Sequence, residues 1–574
     1  MKIRKVARIL VGTAALCWVL ASAGCGGTTS SSENNASATS ADTSLRADWG
    51  TTLQASGTVG VGMFPAKYTF EVTATPSCAL DFAAYNTSYA GVSGSKPNIV
   101  AFNQLYSTQN GATPAGLCGT AGPSTYWSYF TGTGQALTSP VLSGDGSKVA
   151  FVENFSGSAA VRILKWVAGQ GTVSAPVAPD TTLTGTPWSS CPANKSCVVT
   201  LTIAFQDTNS PPFYDYNTDS MYVGDNHGGL HKVTGVFNGT PTLDPTGWPI
   251  AVSGATAIMT GPVYDGVSGN IYVGDNGGRL FYVRETGSTV GACTSGAPPC
   301  KGATTLTVGT GGEVIDAPIV DGTNQTVFAV NATATDGDGN FGVLLQTPTS
   351  FASSVQTGSG GLGSIGSAMS GTNLYGGDFD NAYYSSSKPS LAGHMYFCGK
   401  DTSFNDRPAI YQLTFNTTTA VISSISSPLS GMTDTSGEAC SPVTEFYNTT
   451  TSTDWIFFSI GNNANNGAPI NGGSTCRTSI SGGTVGHKGC IISINVTPPF
   501  TFPPSAVTHS AAAPSNTAGA TSGFVIDNNS ASTQASSVYF SLGANSSGTG
   551  PGLPSCNTTA GVGCAVKLTQ SGLN

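Results

Sequence analysis

Short apolar runs separated by turn residues recur along the chain. Two stretches of fifteen residues are nearly identical: DSMYVGDNHGGLHKV at Asp219–Val233 and GNIYVGDNGGRLFYV at Gly269–Val283. In each, a GDN turn separates two apolar runs, which predicts two strands joined by a tight hairpin, because Asn and Gly accept the backbone angles of such turns. A Pro-Val strand start and a Gly-rich turn precede the second copy, so the repeating unit is predicted to hold three or four strands.

Looser copies of this unit occupy much of the remaining chain. They lie near 81–130, 138–165, 315–346, 393–415, 440–496 and 522–570. A period of roughly 45–80 residues with three or four strands per unit is typical of a β-propeller blade. The pattern therefore predicts an all-β protein with a propeller of eight blades, and seven blades stay open because the copies near 81–130 and 393–415 are degenerate.

The last copy ends one strand short of a four-stranded blade. PAKYTFEVTA, at Pro65–Ala74, is an isolated strand candidate before the first copy. We predict that this N-terminal segment joins the last blade and closes the ring, because closure removes exposed sheet edges. The 75 glycines and the 9% of charged residues agree with an all-β chain.

The N-terminus has the features of an export signal. Lys2, Arg4, Lys5 and Arg8 precede an apolar stretch that ends in SAGC, and this ending resembles a bacterial lipobox. The resemblance implies cleavage before Cys25 and lipid attachment to it; the alternative is an ordinary signal peptide with an incidental cysteine. We predict a signal peptide at 1–24, a lipid-anchored low-complexity tether at 25–48 and a single propeller domain at 49–574. The protein is then exported and lipid-anchored to the outer membrane or cell surface of a bacterium.

The charge balance narrows the choice of partners. Without the predicted signal the chain holds 17 basic and 30 acidic residues. Nucleic acids and anionic lipids need basic patches, so neither is an expected partner. Contact with the membrane is expected through the lipid anchor only.

The cysteines agree with an oxidising compartment. Apart from Cys17 and Cys25, twelve cysteines remain, and none has the CxxC or CxH spacing of a zinc site. Disulfides are the favoured interpretation. Proximity along the chain predicts the pairs Cys191–Cys197, Cys293–Cys300, Cys476–Cys490 and Cys556–Cys564. Cys78–Cys118 and Cys398–Cys440 remain as longer-range candidates.

Two repeat motifs resemble known propeller families. IYVGDNGGRLFYV resembles the repeats of PQQ-like and YVTN propellers, a group that includes the eight-bladed outer-membrane assembly lipoproteins of the BamB type, and PVLSGDGSKVAFV is similar to a TolB-type repeat. The resemblance implies a propeller and almost nothing about function, because these motifs are structural. The AxDxxTGxxxW docking repeat of quinone-dependent dehydrogenases does not occur, so no bound quinone is expected.

Two loops carry candidate ligands. Asp336, Asp338 and Asn340 place oxygen ligands at alternate positions of a Gly-rich loop, which suits calcium, but the terminal glutamate of an EF-hand is missing and a solvated interstrand loop is the favoured interpretation. Asp378 and Asp380 lie beside Tyr383 and Tyr384, a combination that suits sugar binding or glycosidase chemistry. The alternative is that the tyrosines are core residues and the acids cap a turn.

Other candidate residues have simpler interpretations. Asp225 and Asp275 recur in the two hairpins, where we expect each to cap its own turn. His227 and His231 stand across a predicted hairpin, so metal binding by them alone is not expected. No HExxH, GxSxG or P-loop motif is present, and no cofactor beyond a possible calcium ion is expected.

The favoured function is a non-enzymatic binding or scaffold module for an envelope or extracellular protein or glycan. One alternative is an enzyme acting on extracellular polysaccharide, with Asp378 and Asp380 joined by Glu445 or Asp321. Another is an outer-membrane assembly factor of the BamB type.

Overall fold

Eight sheets form the described body of the chain, and all their strand pairs are antiparallel except β9 with β10 in blade 2. The computed structural model describes residues 46–55, 63–70, 75–108, 115–203, 207–367, 374–401, 407–430, 440–460, 490–504, 508–509, 521–527, 535–542 and 562–569. Within these residues each sheet holds four strands or, in blades 2 and 3, five. The predicted eight-bladed β-propeller is confirmed.

The N-terminal strand and blades 1 to 4 contain the following elements. The strands are β1 (Arg46–Ala55); in blade 1, β2 (Ala66–Tyr68), β3 (Phe82–Asn86), β4 (Ile99–Asn103) and β5 (Ser124–Tyr129); in blade 2, β6 (Val141–Leu142), β7 (Lys148–Phe155), β8 (Ser158–Lys165), β9 (Thr181–Leu183) and β10 (Cys197–Ile203); in blade 3, β11 (Phe213–Asp215), β12 (Ser220–Gly224), β13 (Gly229–Thr234), β14 (Thr242–Leu243) and β15 (Ile250–Ala251); in blade 4, β16 (Val263–Asp265), β17 (Asn270–Gly274), β18 (Arg279–Arg284) and β19 (Cys300–Thr307). A 3₁₀ turn covers Trp188–Ser190 in blade 2.

Blades 5 to 8 continue in the same order. Their elements are, in blade 5, β20 (Ile319–Asp321), β21 (Thr326–Thr335), β22 (Phe341–Pro348) and β23 (Val355–Gln356); in blade 6, β24 (Asp378–Phe379), helix α1 (Asn381–Tyr384), β25 (His394–Lys400), β26 (Pro408–Phe415) and β27 (Ile422–Ile425); in blade 7, β28 (Thr444–Asn448), β29 (Thr453–Ile460), β30 (Cys490–Asn495) and β31 (Thr508–His509); in blade 8, β32 (Val525–Asp527), β33 (Ser537–Leu542) and β34 (Val562–Thr569). Strand β1 is the fourth strand of blade 8.

An N-terminal strand closes the ring, but the segment predicted for this role was wrong. Strand β1 pairs antiparallel with β34, from Arg46 opposite Thr569 to Ala55 opposite Val562. The predicted segment, Pro65–Ala74, instead contains β2, which pairs with β3 in blade 1. The pattern of RADWGTTLQA does not predict strand β1, because its only large apolar residues are Trp49 and Leu53, both of which are fully buried. It begins at Arg46, so the last residues of the stretch predicted as tether belong to this strand.

The order of strands defines two faces of the propeller. Connections between first and second strands and between third and fourth strands lie at one end, here called the lower face; residues 216–219 in blade 3 are an example. Hairpins between second and third strands lie at the other end, the upper face, with the segments that lead from blade to blade. The hairpin at 225–228 shows this arrangement, because the Asn226 amide donates to the Asp207 carbonyl at 3.1 Å and the Gly228 amide to the Ala257 carbonyl at 2.9 Å.

The second strand of the two best repeats is buried on both sides. All five residues of β12 and of β17 are buried, because neighbouring blades pack against both faces of the strand. The glycine in each YVG motif permits this packing. A Cβ on Gly224 would stand 2.5 Å from the Met259 Cβ, and one on Gly274 would stand 2.5 Å from a Val314 methyl carbon. The repeated glycine therefore admits the blade-to-blade segment that follows.

Buried charges tie the last blade to the first on the lower side. Lys567 on β34 contacts Asp48 on β1, with Nζ and Oδ2 3.0 Å apart and both side chains fully buried. The Tyr106 hydroxyl lies 2.7 Å from Asp81 Oδ2 and 2.9 Å from Asp527 Oδ2. Lys67 pairs with Asp527 and completes the group. We call it the closure network; its members are Asp48, Lys67, Asp81, Tyr106, Asp527 and Lys567.

Four of the predicted disulfides are present, and they hold connections between strands. The bonded pairs are Cys78–Cys118, Cys191–Cys197, Cys293–Cys300 and Cys398–Cys440, with Cα atoms 5.6–6.3 Å apart. Cys564 is also disulfide-bonded. Its predicted partner Cys556, and Cys476 of the remaining pair, lie outside the described residues, as do the predicted signal peptide and Cys25. In the part of the chain that the structure describes, no helix is long and apolar enough to cross a membrane.

Candidate functional site

Four buried carboxyl groups gather between blades 6 and 7. Asp378 and Asp380 lie at and after β24, Glu445 lies on β28, and Asp454 lies near the start of β29. None of the four residues is more than 4% exposed. We call this group the acid cluster. The structure thus brings together the two predicted acids, one residue that the enzyme hypothesis added, and one that sequence reasoning missed.

Asp380 occupies a repeated structural position. In blades 3 to 5 the first strand ends in an aspartate that accepts hydrogen bonds from backbone amides of the following turn: Asp215, Asp265 and Asp321. Asp380 holds the corresponding place in blade 6, where its side chain accepts from the Tyr383 amide at 2.9 Å and so caps helix α1. It also accepts from the amide of His394 at 3.0 Å, and the Nδ1 atom of that imidazole lies at the same distance.

Asp378 joins blade 6 to blade 7. One carboxylate oxygen accepts from the Phe379 amide and from the Tyr384 hydroxyl, and the other accepts from the Glu445 amide at 2.9 Å. Because a buried carboxylate needs such donors to offset its lost hydration, these bonds explain how Asp378 is accommodated at 1% exposure.

The two tyrosines differ in exposure. Tyr383 is buried, stacks on Phe379 with ring centroids 4.0 Å apart, and donates its hydroxyl to Asp321 Oδ2 of blade 5 at 2.8 Å. Burial and the neighbouring Asp321 raise the pKa of the Tyr383 hydroxyl far above its ordinary value. Tyr384 is only half-buried. Tyr383 therefore packs as a core residue, whereas part of Tyr384 faces solvent.

Asp454 is the most perturbed member of the acid cluster. Burial raises its pKa to about 7, and the negative charges of Asp380 and Asp378 add to that rise. Hydrogen bonds from the Asn381 amide and with the Glu445 side chain act in the opposite direction and lower the pKa. The hydrogen bond from the Asn381 amide nitrogen to Asp454 Oδ2 measures 2.6 Å. A carboxyl group that keeps its proton near neutral pH removes one negative charge from a crowded site. The signal that sequence reasoning overlooked is a lone Asp inside the otherwise apolar strand DWIFF.

The geometry limits what the acid cluster can do chemically. Asp378, Asp380, Glu445 and Asp454 are almost fully buried, and Asp321, the other acid of the enzyme hypothesis, is 6% exposed. A glycosidase needs two carboxyl groups that flank a bound sugar. The described contacts of these carboxyl groups are instead with amides, hydroxyls and an imidazole of the same or the adjacent blade, so the arrangement suits a structural junction.

The calcium candidates lie in the hairpin between β21 and β22. Asp336 Oδ1 accepts from the amides of Asp338 and Asn340, and Asn340 Nδ2 donates to the Ser364 hydroxyl at 3.1 Å. Asp338 is exposed. Among the described residues no group of three or more His, Cys, Asp or Glu side chains is placed to hold a metal ion. Calcium binding by these two aspartates and one asparagine stays a prediction.

The two repeated hairpins use one carboxylate in the same way. Asp225 accepts from the amides of His227 and Gly229, and Asp275 accepts from the amides of Gly277 and Arg279. The expected capping role is confirmed. The second oxygen finds different partners, His231 Nε2 at 2.7 Å in blade 3 and the Arg279 guanidinium at 2.5 Å in blade 4. The Nε2 atom of His231 therefore contacts the aspartate of its own hairpin.

The chain is similar in fold to known propellers. These include BamB from Moraxella catarrhalis (11% identity, 88% of this chain and 96% of that chain, TM-score 0.37) and Sqt1 from Chaetomium thermophilum (10% identity, 90% and 98%, TM-score 0.45). A putative 6-phosphogluconolactonase from Bacteroides fragilis is also similar (11% identity, 74% and 96%, TM-score 0.34). No protein-family model and no curated protein matches the sequence. Such distant likenesses carry no argument about what this chain binds.

Proposed function

We propose that this chain is a non-enzymatic binding or scaffold protein of the bacterial cell envelope. An eight-bladed frame, exported and held by lipid on Cys25, presents its connecting loops to a protein or glycan partner. The observation that carries the proposal is the burial of every carboxyl group that the enzyme hypothesis requires, each at most 6% exposed. Rigid strands with variable connections are the usual means by which such a frame acquires specificity.

The disulfides support an extracytoplasmic address. The pairs Cys191–Cys197 and Cys293–Cys300 each close a short loop, with six and seven residues of sequence separation. Loops this short cannot form a core of their own, and disulfides persist in oxidising compartments.

The first experiment tests the anchor. The full-length chain and its Cys25→Ser variant are expressed in a bacterium that accepts a labelled fatty acid. We expect label and membrane association in the parent chain and the loss of both in the variant. Label in both chains would contradict lipid attachment at Cys25.

The second experiment tests binding. The lipidated protein, purified in detergent, is applied to a glycan array with and without calcium, and is cross-linked in native envelopes. Saturable binding to a defined sugar or protein supports the proposal, whereas hydrolysis of an arrayed glycan that is lost in Asp378→Asn would replace it with the enzyme hypothesis.

A control pair separates calcium from general charge effects. Asp338→Asn alters the exposed candidate ligand. Glu313→Gln alters an exposed acid in the segment that connects blade 4 to blade 5. Calcium-dependent binding that is weakened only by Asp338→Asn would assign the 336–340 loop to the site; equal behaviour of both variants would exclude that loop.

A further inference from the structure

Exposed apolar side chains are distributed unequally between the two faces. Among the described residues, seven large apolar side chains are exposed. Five of them belong to lower-face connections, one (Val177) lies beside β5, and one (Val92) lies in an upper-face connection. The five are Phe70, Leu80, Leu117, Val267 and Val421. Blade 1 contributes three of these five, so its lower end is the most apolar exposed region in this part of the chain.

A disulfide and a hydrogen bond hold the backbone that carries three of these side chains in blade 1. Phe70, Leu80 and Leu117 are 58%, 40% and 38% exposed, and we call them the apolar patch. The Phe70 amide donates to Asp81, the neighbour of Leu80, at 2.8 Å. The Cys78–Cys118 disulfide joins the connection that carries Leu80 to the one that carries Leu117. The patch is therefore preorganised, which lowers the entropy cost of docking.

Half-buried aromatic rings extend the patch towards blade 2. Tyr68, Tyr126 and Trp166 surround the buried ring of Phe82, with centroid distances of 5.2–5.8 Å. Trp166 keeps its indole N–H bonded to the Gly146 carbonyl at 2.8 Å. Partly exposed Tyr and Trp rings are the side chains that favour the boundary between a bilayer and water.

The start of β1 identifies what this surface faces. Arg46 stands opposite Thr569 at the lower end of blade 8, and the Trp49 indole donates to the Leu105 carbonyl of blade 1 at 2.9 Å. Twenty residues separate Arg46 from Cys25. If these residues form the flexible low-complexity tether that the sequence predicts, a linker of that length would have an r.m.s. end-to-end distance of about 25 Å. A lipid on Cys25 thus keeps the bilayer close to the lower face and beside blade 1.

We infer that the apolar patch rests on the lipid bilayer to which the chain is anchored. This inference rests on the proposed lipid attachment, adds an orientation to it, and replaces the expectation from the sequence that the anchor is the only contact with the membrane. The acidic surplus of the chain disfavours anionic headgroups, so the contact is apolar insertion into a zwitterionic surface. The lower face of blade 1 then lies on the membrane, and the upper face points away from it, accessible to a partner.

Hydrogen exchange on vesicles tests the orientation. The lipidated full chain is reconstituted on phosphatidylcholine–phosphatidylethanolamine vesicles, and its amide exchange is compared with that in detergent. We expect exchange in segments 75–82 and 115–119 to slow by at least about threefold on vesicles. The triple variant Phe70→Ser, Leu80→Ser and Leu117→Ser should lose this protection and still sediment with vesicles. The matched control is Val92→Ser, which alters an exposed apolar residue of the upper face and should retain full protection.

The outcomes separate the two proposals. Sedimentation without protection of these segments would overturn the orientation and leave the anchor intact. Failure of the parent chain to sediment with vesicles would contradict both the lipid anchor and the orientation that depends on it. Protection that appears in detergent as the protein concentration rises would assign the patch to a second copy of the chain and contradict membrane contact.

Discussion

The closure network and the acid cluster both join two blades through buried charges, but they balance those charges differently. In the closure network two lysines, Lys67 and Lys567, lie among Asp48, Asp81 and Asp527. In the acid cluster four carboxyl groups lie together, and the nearest basic side chain among their described contacts is the half-buried imidazole of His394. One junction is neutralised by cations and the other by amides and a retained proton.

This difference shows that one fold can stabilise buried carboxyl groups in two ways, by pairing them with cations or by raising the pKa of one of them. An ion pair keeps both groups charged and fails if one partner is removed. A carboxyl group whose pKa is raised by burial removes its own charge, and its contribution to stability then depends on pH. The two junctions should therefore respond to different perturbations.

The largest effect is expected at the closure network. Lys567→Met leaves Asp48 buried without its cation and should lower the free energy of unfolding by about 3–5 kcal/mol, measured by urea denaturation. The double variant Lys567→Met with Asp48→Leu should recover most of that loss, because no uncompensated charge remains. A single variant as stable as the parent would show that the ion pair does not secure the ring.

The acid cluster should instead show a pH effect. Asp454 has a pKa of about 7 in the folded chain against 3.8 as its ordinary value, so its protonated form is favoured by folding. Its contribution to stability is fully present below pH 4 and is lost as the pH rises through 7, an effect on the order of 3–4 kcal/mol. Asp454→Asn, which keeps an acceptor for the Asn381 amide, should flatten that slope in unfolding measurements from pH 4 to 8. Asp338→Asn, at an exposed site, should leave the slope intact.

Removing one hydroxyl from each junction gives a finer comparison. Tyr106→Phe deletes a hydroxyl that contacts Asp81, Asp527 and Lys67, and should cost about 1.5–3 kcal/mol. Tyr384→Phe deletes a bond to Asp378 at a half-buried position, where water replaces the donor, and should cost about 1 kcal/mol or less. Equal losses in thermal or urea unfolding would mean that burial does not distinguish the two hydroxyls.

The smallest effect is expected where the cation is exposed. Arg279 pairs with the buried Asp275, but its side chain is 40% exposed and two amides already satisfy the carboxylate. Arg279→Gln should change the free energy of unfolding by at most about 1 kcal/mol, and less at high salt. A loss as large as that of Lys567→Met would show that the pair, and not the amides, holds this carboxylate.

The sequence predicted the repeats well because their signals are local. The GDN hairpins and their flanking apolar runs define blades 3 and 4 within fifteen residues, and the capping roles of Asp225 and Asp275 follow from the turn itself. Blades 1 and 6 lack the GDN hairpin, but they keep short apolar runs separated by turn residues, and these runs support the count of eight. Cys191–Cys197 and Cys293–Cys300 follow from the proximity of the cysteines along the chain, whereas Cys78–Cys118 and Cys398–Cys440, 40 and 42 residues apart, follow only as the pairs that remain.

Contacts between distant segments could not be predicted in the same way. Strand β1 has two large apolar residues and no turn signal, and its partner lies at the far end of the chain. Asp454 becomes unusual only because Asp378 and Asp380 arrive from the neighbouring blade. The composition of the Asp378–Tyr384 stretch is enough to mark it as a candidate site. Its hydrogen bonds to Glu445 and Asp321 depend on the packing of neighbouring blades and cannot be predicted from composition.

The pairing of β1 with β34 also determines when the ring can close during folding. Asp48 and Thr569, which are hydrogen-bonded across this pair, are 521 residues apart in the sequence. In a chain synthesised from its N-terminus, β1 is made first and its edge has no partner until β34 follows. The ring therefore closes late. A chain interrupted before Val562 has no partner for β1, so closure requires that the whole propeller has been made.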